Sequence, residues 1–288
     1  MMAAVRFEKW QALGNDYLVV ERDRLPFALT PERVRRLCDP HLGPGADGVL
    51  ELAPPARPGY VADLRIFNPD GSEAELSGNG AREAILYLRR RGWTDSQQFS
   101  IQTIAGEIRP TILDERTCRV DMGRARLRSD AYPSGGPDGV GTIAIDGTEW
   151  RFQHVSIGNP QCAIRVAGLA ELEALDLAAI GPQVERSELF PQRTNTSFWC
   201  ALETGVIRAR IFERGVGETL SSGTGASGAA VAHVLRGGDS PVTVRLDGGE
   251  LEVDVDESLH VDLTGWAEPV YAATLGEEAL AALAALDG

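Results

Sequence analysis

The sequence predicts an α+β fold written twice: two pseudo-symmetric lobes, each a mostly antiparallel or mixed sheet wrapped around a central helix. Three observations predict it. Residues 65–81, RIFNPDGSEAELSGNGA, overlay residues 210–226, RIFERGVGETLSSGTGA, without a gap. In nearly the same register, LGND at 13–16 falls on IGNP at 157–160. In both halves β-branched, alternating runs outnumber helical ones and are separated by turn signals. The repeat is roughly 145 residues long, enough for each lobe to bury a core of its own.

The elements follow in the same order in each half. VRFEKW and YLVVER read as strands, answered in the second half by EWRFQHVSI and QCAIRV. TPERVRRLCD reads as a helix with Thr30 as N-cap and Pro31 at the first helical position. Its partner is LAELEALDLAAIG, read as one helix. The strands VADLRIF and GVIRARIF lead to the two glycine turns. The helices NGAREAILYLRRRG and TGASGAAVAHVLRGG follow, stopped by Gly92 and by Gly237 and Gly238. QFSIQTIAG, EIRPTIL and TCRVDMG close the first half as strands; PVTVRL, ELEVDV and SLHVDL close the second. Ala105-Gly106 and DGGE are the hairpin signals. SDAYPSGGPDG, at 129–139, reads as linker or loop, and PVYAATL with the alanine-rich segment after it folds back on the first lobe. The expected division is residues 1–125 with 268–288, and residues 126–267, with a ligand cleft between the lobes.

Composition excludes several functions. The net charge is −14, from 28 Lys and Arg against 42 Asp and Glu, and an acidic chain repels a phosphate backbone. No run of eighteen apolar residues offers a membrane span, and MMAAVRFEKW lacks the layout of a signal peptide. The expectation is a cytoplasmic protein that binds neither nucleic acid nor membrane. Lys9 is the only lysine, and its place in a strand argues against pyridoxal chemistry. The four cysteines and four histidines are dispersed, with no metal-ligand spacing. Neither metal nor cofactor is expected.

Chemistry concentrates at the doubled turn. Ser77 and Ser222 each precede a Gly-x-Gly at the start of a helix, where backbone N–H groups without intrahelical partners bind anions. No lysine follows either turn, which excludes a P-loop. Placed across a pseudo-twofold axis, the two turns would address one small anionic ligand from opposite sides. That arrangement suits a racemase, in which one group removes an α-proton and another returns it on the far side.

The segments LGND, GADGVL, FNPDGSEAELSGNGAR, GNP, TNTSF and FERGVGETLSSGTGA resemble those of the diaminopimelate epimerase family, in order along essentially the whole chain. The resemblance implies a duplicated α+β fold and cofactor-independent epimerisation of LL-diaminopimelate to the meso form. It implies ligand contacts at Asn15, Asn68, Asn159 and Asn195. It implies carboxylate contacts at Gly78 and Asn79 and at Gly223 and Thr224, and places Glu213 and Arg214 near the substrate amine and carboxylate. A homodimer is among its implications. On residue chemistry alone, each asparagine also suits an ordinary turn, and Arg214 also suits a structural ion pair.

The resemblance breaks at three positions. The family's two catalytic residues are cysteines, and this chain has Ser77 and Ser222. The histidine that follows GNP in the family is here Gln161. A thiol has a pKa of about 8.5, whereas a serine hydroxyl lies above tyrosine's value of about 10. A helix terminus contributes at most about 2 kcal/mol, roughly 1.5 pK units, too little to make an alkoxide at neutral pH. Serine therefore needs a neighbouring base, for which Glu213 is the candidate; Cys162 is a lesser one, since strand alternation separates it from Gln161. Two rival readings stand beside the epimerase: a single-base isomerase or dehydratase using Glu213 on another amino acid, and an amino-acid-binding homologue without activity.

Overall fold

The computed structural model describes residues 5–286; residues 1–4, the start of the N-terminal stretch read above, and residues 287–288 lie outside the described residues. The chain divides into two compact units, Met1–Val120 with Trp266–Gly288, and Asp121–Gly265.

The first unit contains β1 (Arg6–Ala12), β2 (Asn15–Glu21), α1 (Pro31–Cys38), β3 (Val49–Ala53), β4 (Ala62–Phe67), β5 (Glu73–Ala74), α2 (Gly78–Arg90), β6 (Ile101–Thr103), β7 (Gly106–Ile108) and β8 (Pro110–Ile112). Strand β9 (Thr117–Arg124) runs across the unit boundary. The second unit contains β10 (Val140–Ile145), β11 (Thr148–Ser156), β12 (Pro160–Arg165), α3 (Leu169–Ala174), α4 (Leu177–Glu185), β13 (Asn195–Glu203) and β14 (Val206–Glu213). It continues with β15 (Gly217–Thr219), α5 (Gly223–Val234), β16 (Val242–Leu246), β17 (Gly249–Val255) and β18 (His260–Trp266). The chain ends with β19 (Glu268–Thr274) and α6 (Glu277–Ala284), which belong to the first unit.

The two sheets repeat one another pairing by pairing. One has the order β19-β1-β2-β3-β4-β6-β7, with β5 on β4; the other runs β10-β11-β12-β13-β14-β16-β17-β18-β9-β8, with β15 on β14. β1–β2 is antiparallel, β2–β3 parallel, β3–β4 antiparallel and β4–β6 parallel. β11–β12, β12–β13, β13–β14 and β14–β16 have the same senses in the same order. Each parallel step needs a crossover connection. In both units the helix that follows the glycine turn, α2 or α5, supplies the second of these.

Helix α5, built of Gly, Ala, Ser, Thr and Val with one histidine, is buried from Gly223 to Ala232. Small side chains on all faces let strands β11 to β14, β16 and β17 approach it, so the sheet curls around it. Helix α2 is likewise buried from Gly78 to Leu88. The opposite face of the first sheet packs Leu18, Val20 and Phe67 against Val34 and Leu37 of α1 and Leu283 of α6, while β19 pairs with β1. In the second unit, Phe152, Cys162, Ile164 and Phe198 pack against Leu172 of α3 and Val184 of α4.

Three expectations are corrected. LAELEALDLAAIG is two helices, because Leu175 is extended and Asp176 restarts the chain as an N-cap, accepting from the Ala179 N–H at 3.2 Å. An aspartate can hydrogen-bond nearby backbone and so competes with helix continuation. EIRPTIL is two strands, β7 on β6 and β8 on β9, divided just before Pro110, which lacks an N–H for a continuous ladder. Thr103 pairs with Gly106, so the hairpin loop is Ile104-Ala105 and Gly106, at φ +122°, opens the return strand. Among the described residues no helix is long and apolar enough to cross a membrane.

Candidate active site

In each unit a strand ends, a short hairpin strand returns, and a serine caps the helix. Arg65 of β4 bonds both carboxylate oxygens of Glu73 on β5 at 2.9 and 2.8 Å. Arg210 of β14 grips Glu218 of β15 at 2.9 and 2.7 Å. These are the matched Arg and Glu of the sequence repeat, and a two-bonded Arg–carboxylate pair fixes geometry as well as charge. Four residues after each glutamate comes the cap. Ser77 Oγ accepts from the Gly80 N–H at 3.1 Å, and Ser222 Oγ accepts from the Gly225 N–H at 3.1 Å. Ala81 and Ala226 close the first helical bonds to the Ser77 and Ser222 carbonyls. The N–H groups of Gly78, Asn79, Gly223 and Thr224 thus have no intrahelical acceptor and lie where the helix dipole is positive.

Asparagines brace both helix ends. In the first unit the Asn79 side-chain amide donates to Asn15 Oδ1 at 3.3 Å, and Asn15 donates to Asp47 at 2.8 Å. In the second, Asn159 donates to Thr224 Oγ1 at 3.2 Å. The repeat places Asn15 over Asn159 and Asn79 over Thr224, so the same brace is built twice from different chemistry. Asn68 donates to Ser72 Oγ at 3.0 Å within its own turn. Asn195 Oδ1 accepts from the Arg214 N–H at 2.8 Å. The Arg214 guanidinium donates to the Gln192 carbonyl at 2.9 Å and makes no ion pair among the described residues, so the structural ion pair considered for it is absent. Gly215 N–H is tied to the buried Glu185 at 3.1 Å, which steadies the loop carrying Arg214.

Glu213 is the last residue of β14 and half-buried. The Ser222 hydroxyl, nine residues further on, accepts from the Gly225 N–H. The counterpart of Glu213 at the end of β4 is Asn68, so a carboxylate stands at this position in the second unit alone. Gln161, fully buried, donates to Asn159 Oδ1 at 2.6 Å while its own Oε1 lacks a partner. Gln161 lies over Gly228 of α5, where any Cβ would come within 2.9 Å of its side chain. Cys162 points to the other face of β12, into the apolar cluster behind the sheet. Burial drives its thiol well above the ordinary range, which removes it as a catalytic thiol.

Two residues at the first turn were not anticipated. Tyr17 Oη donates to Ser77 Oγ at 3.1 Å. Arg82, fully buried, folds back on the first turn of α2, donating to the Gly78 carbonyl at 3.0 Å and to Asn79 Oδ1 at 2.7 Å. Its desolvation lowers its pKa to about 10, and it remains a cation at neutral pH. The repeat held the signal for Tyr17: extending LGND over IGNP by one residue places Tyr17 on Gln161. No such signal existed for Arg82, whose direction depends on α2 being buried.

A duplicated α+β scaffold with a serine-capped helix at the same place in each half defines the class. A crystal structure titled as a probable proline racemase from Agrobacterium radiobacter K84 has the same fold, with a TM-score of 0.71 at 15% identity, over 95% of this chain and 93% of that one. The family model for diaminopimelate epimerase matches residues 7–128 and 153–268, one stretch in each half. The diaminopimelate epimerase of Synechococcus sp. (strain JA-3-3Ab) is 40% identical over 96% of this chain and 100% of its own length. That of Desulforudis audaxviator (strain MP104C) is 43% identical over 93% and 98%. The chain belongs to the diaminopimelate epimerase family, and it is an isomerase.

Proposed function

We propose that the protein interconverts LL- and meso-diaminopimelate by removing the α-proton on one face and returning a proton on the other. The observation that carries this reading is the equivalence of the two turns: Ser77 with Asn79 and Asn15, and Ser222 with Thr224 and Asn159, each at a helix N-terminus. The N–H groups at Gly78 and Asn79 and at Gly223 and Thr224 suit the substrate α-carboxylate and the negative charge that spreads onto it as the proton leaves. Arg214 adds a cation toward the same carboxylate. Asn68, Asn195 and Glu213 suit the ammonium group and the polar ends of the substrate. The mechanism requires both turns to serve one α-carbon, so inversion is its signature. A cytoplasmic homodimer working on a small amino acid belongs to the same reading, and sedimentation tests the dimer.

The test is α-proton exchange. Incubated with LL-diaminopimelate in deuterated water, the protein is expected to introduce deuterium at the α-carbon with inversion, followed by NMR and chiral chromatography. The double variant Ser77→Cys, Ser222→Cys is expected to exchange about 10²-fold or more faster, because a thiol with pKa about 8.5 yields a base near neutrality and a serine does not. Exchange that stays absent in both proteins would sink the reading for this substrate.

A second reading is favoured by one observation: a carboxylate, Glu213, ends the strand in the second unit, where the first has Asn68. A single-base isomerase or dehydratase would exchange the proton without inversion, or release water. Thermal stabilisation by the amino acid with no exchange would instead indicate a binding protein.

A further inference from the structure

We propose that Tyr17 is the proton-relay partner of Ser77, so that charge left when the serine gives up a proton rests on the tyrosine oxygen. The inference deepens the epimerase reading and rests on it. Ser77 Oγ accepts two hydrogen bonds, from Tyr17 Oη at 3.1 Å and from the Gly80 N–H at 3.1 Å. A hydroxyl has two acceptor positions and one proton. With both positions filled, the serine is left to direct its own proton away from the protein, as a donor to a ligand.

The acidities settle where the charge goes. Tyrosine titrates at about 10, and a serine hydroxyl lies higher, so the anionic form of a hydrogen-bonded serine–tyrosine pair carries its charge on the phenol oxygen. In the return step the Ser77 O–H bond breaks and its proton forms the new C–H bond at the substrate carbanion. The Tyr17 proton then bonds to Ser77 Oγ, and its electron pair remains as the phenolate. In the reverse step the α-C–H bond breaks, its proton goes to Ser77 Oγ, and the serine proton goes to the phenolate. Both steps balance without a further reactant.

The seat for the ring is built in. Tyr17 is 6% exposed. Asn15 and Tyr17, two residues apart on β2, both reach the first turn of α2, whereas Leu18 and Val20 enter the core behind the sheet. Gly48 lies against the ring: a Cβ there would stand 2.5 Å from Tyr17 Cε1 and 2.4 Å from the Phe67 carbonyl oxygen. The second unit lacks the device. Its matching residue is Gln161, an amide that bonds Asn159, and Ser222 has Gly225 as its partner. The relay therefore makes the two turns chemically unequal.

That inequality is the test. Wild-type protein and Tyr17→Phe are incubated in deuterated water with LL-diaminopimelate and, separately, with the meso form. The wild type is expected to exchange both. Tyr17→Phe, matched in melting temperature, is expected to lose about 10²–10⁴-fold in exchange of the centre whose α-hydrogen faces Ser77, the usual range for a general acid–base group. It should hold exchange of the opposite centre within a few-fold. Ser77→Ala should show the same one-sided loss, and the Tyr17→Phe, Ser77→Ala double variant should be no slower than either single one, because the pair acts as a unit. A packing role alone would lower both centres together. Equal losses at the two centres, no loss, or additive effects in the double variant overturn the relay while leaving the epimerase reading intact. Failure of the wild type to exchange either stereoisomer overturns both.

Discussion

Ser222 shows how much one side chain is asked to do at the residue scale. It is 3% exposed, caps α5, and begins the turn at the positive end of that helix. Its acidity cannot be supplied by the helix alone, since about 2 kcal/mol of dipole stabilisation leaves a hydroxyl protonated. Gln161, where the family has a histidine, has no proton-accepting group at neutral pH; its buried Oε1 has no hydrogen-bond partner among the described residues. Gly228 supplies the space. Gly228→Ala would drive a methyl to within 2.9 Å of Gln161 Cβ and 3.0 Å of its Cγ, atoms too near the backbone to swing away. We expect a loss of about 1–3 kcal/mol in urea unfolding, partly offset by alanine's better helix propensity. An unchanged midpoint would show that β12 yields. The asparagines were legible as turn formers and as site candidates together. Their bonds differ: Asn68 bonds Ser72 within its own turn, while Asn15 and Asn159 brace the helix ends.

At the scale of elements, the repeated hairpins carry the serines into place. The pair Arg210–Glu218 is more enclosed than Arg65–Glu73, its arginine being 13% exposed against 39%. Arg210 also donates to the Leu172 and Leu175 carbonyls, each at 2.9 Å, at the end of α3. A double-mutant cycle on Arg210 and Glu218, read in chemical denaturation, is expected to give a coupling of about 1 kcal/mol, and the cycle on Arg65 and Glu73 less, because water screens the more exposed pair. Equal couplings would contradict that ranking. The helix ends obeyed local rules: Thr30 caps α1 and Gly92, at φ +72°, follows α2. The break between α3 and α4 escaped the sequence reading because Asp176 sits inside an unbroken apolar pattern. Strand β10 was missed because VGTIAI follows a loop rich in glycine and proline, and it lacks a counterpart at that place in the repeat.

At the scale of the whole molecule, a buried histidine ties stability to pH. His154 is fully buried, hydrogen-bonded through Nε2 to Ser129 at 2.9 Å and stacked near Phe190. Burial lowers its pKa from 6.5 to about 4. The unfolded chain therefore binds a proton that the folded chain refuses, and stability falls as pH drops. The contribution is complete above about pH 6.5 and lost on descending to about pH 4, and it amounts to at most about 3 kcal/mol. Melting temperatures at pH 7 and pH 4.5 should differ more for the wild type than for His154→Gln. Parallel pH dependences in the two proteins would refute the assignment.

The duplication, most of the strands and helices in their order, the two capped glycine turns and the family were legible in the sequence. Each of these is written in local pattern, in residues that specify turns, caps and periodicity, and in the match between halves. Only the folded chain brings a hydroxyl to Ser77 and leaves Ser222 with the Gly225 N–H. Tyr17 touches Ser77 across sixty positions of sequence because parallel and antiparallel pairings set β2 beside the buried helix. Cys162 is turned from the site by the same one-residue alternation that turns Gln161 toward it. Arg82, buried within α2, donates its N–H groups to the Gly78 carbonyl and the Asn79 amide oxygen of the helix end it braces. Contacts of this kind depend on strand register and on burial, which only the folded chain possesses.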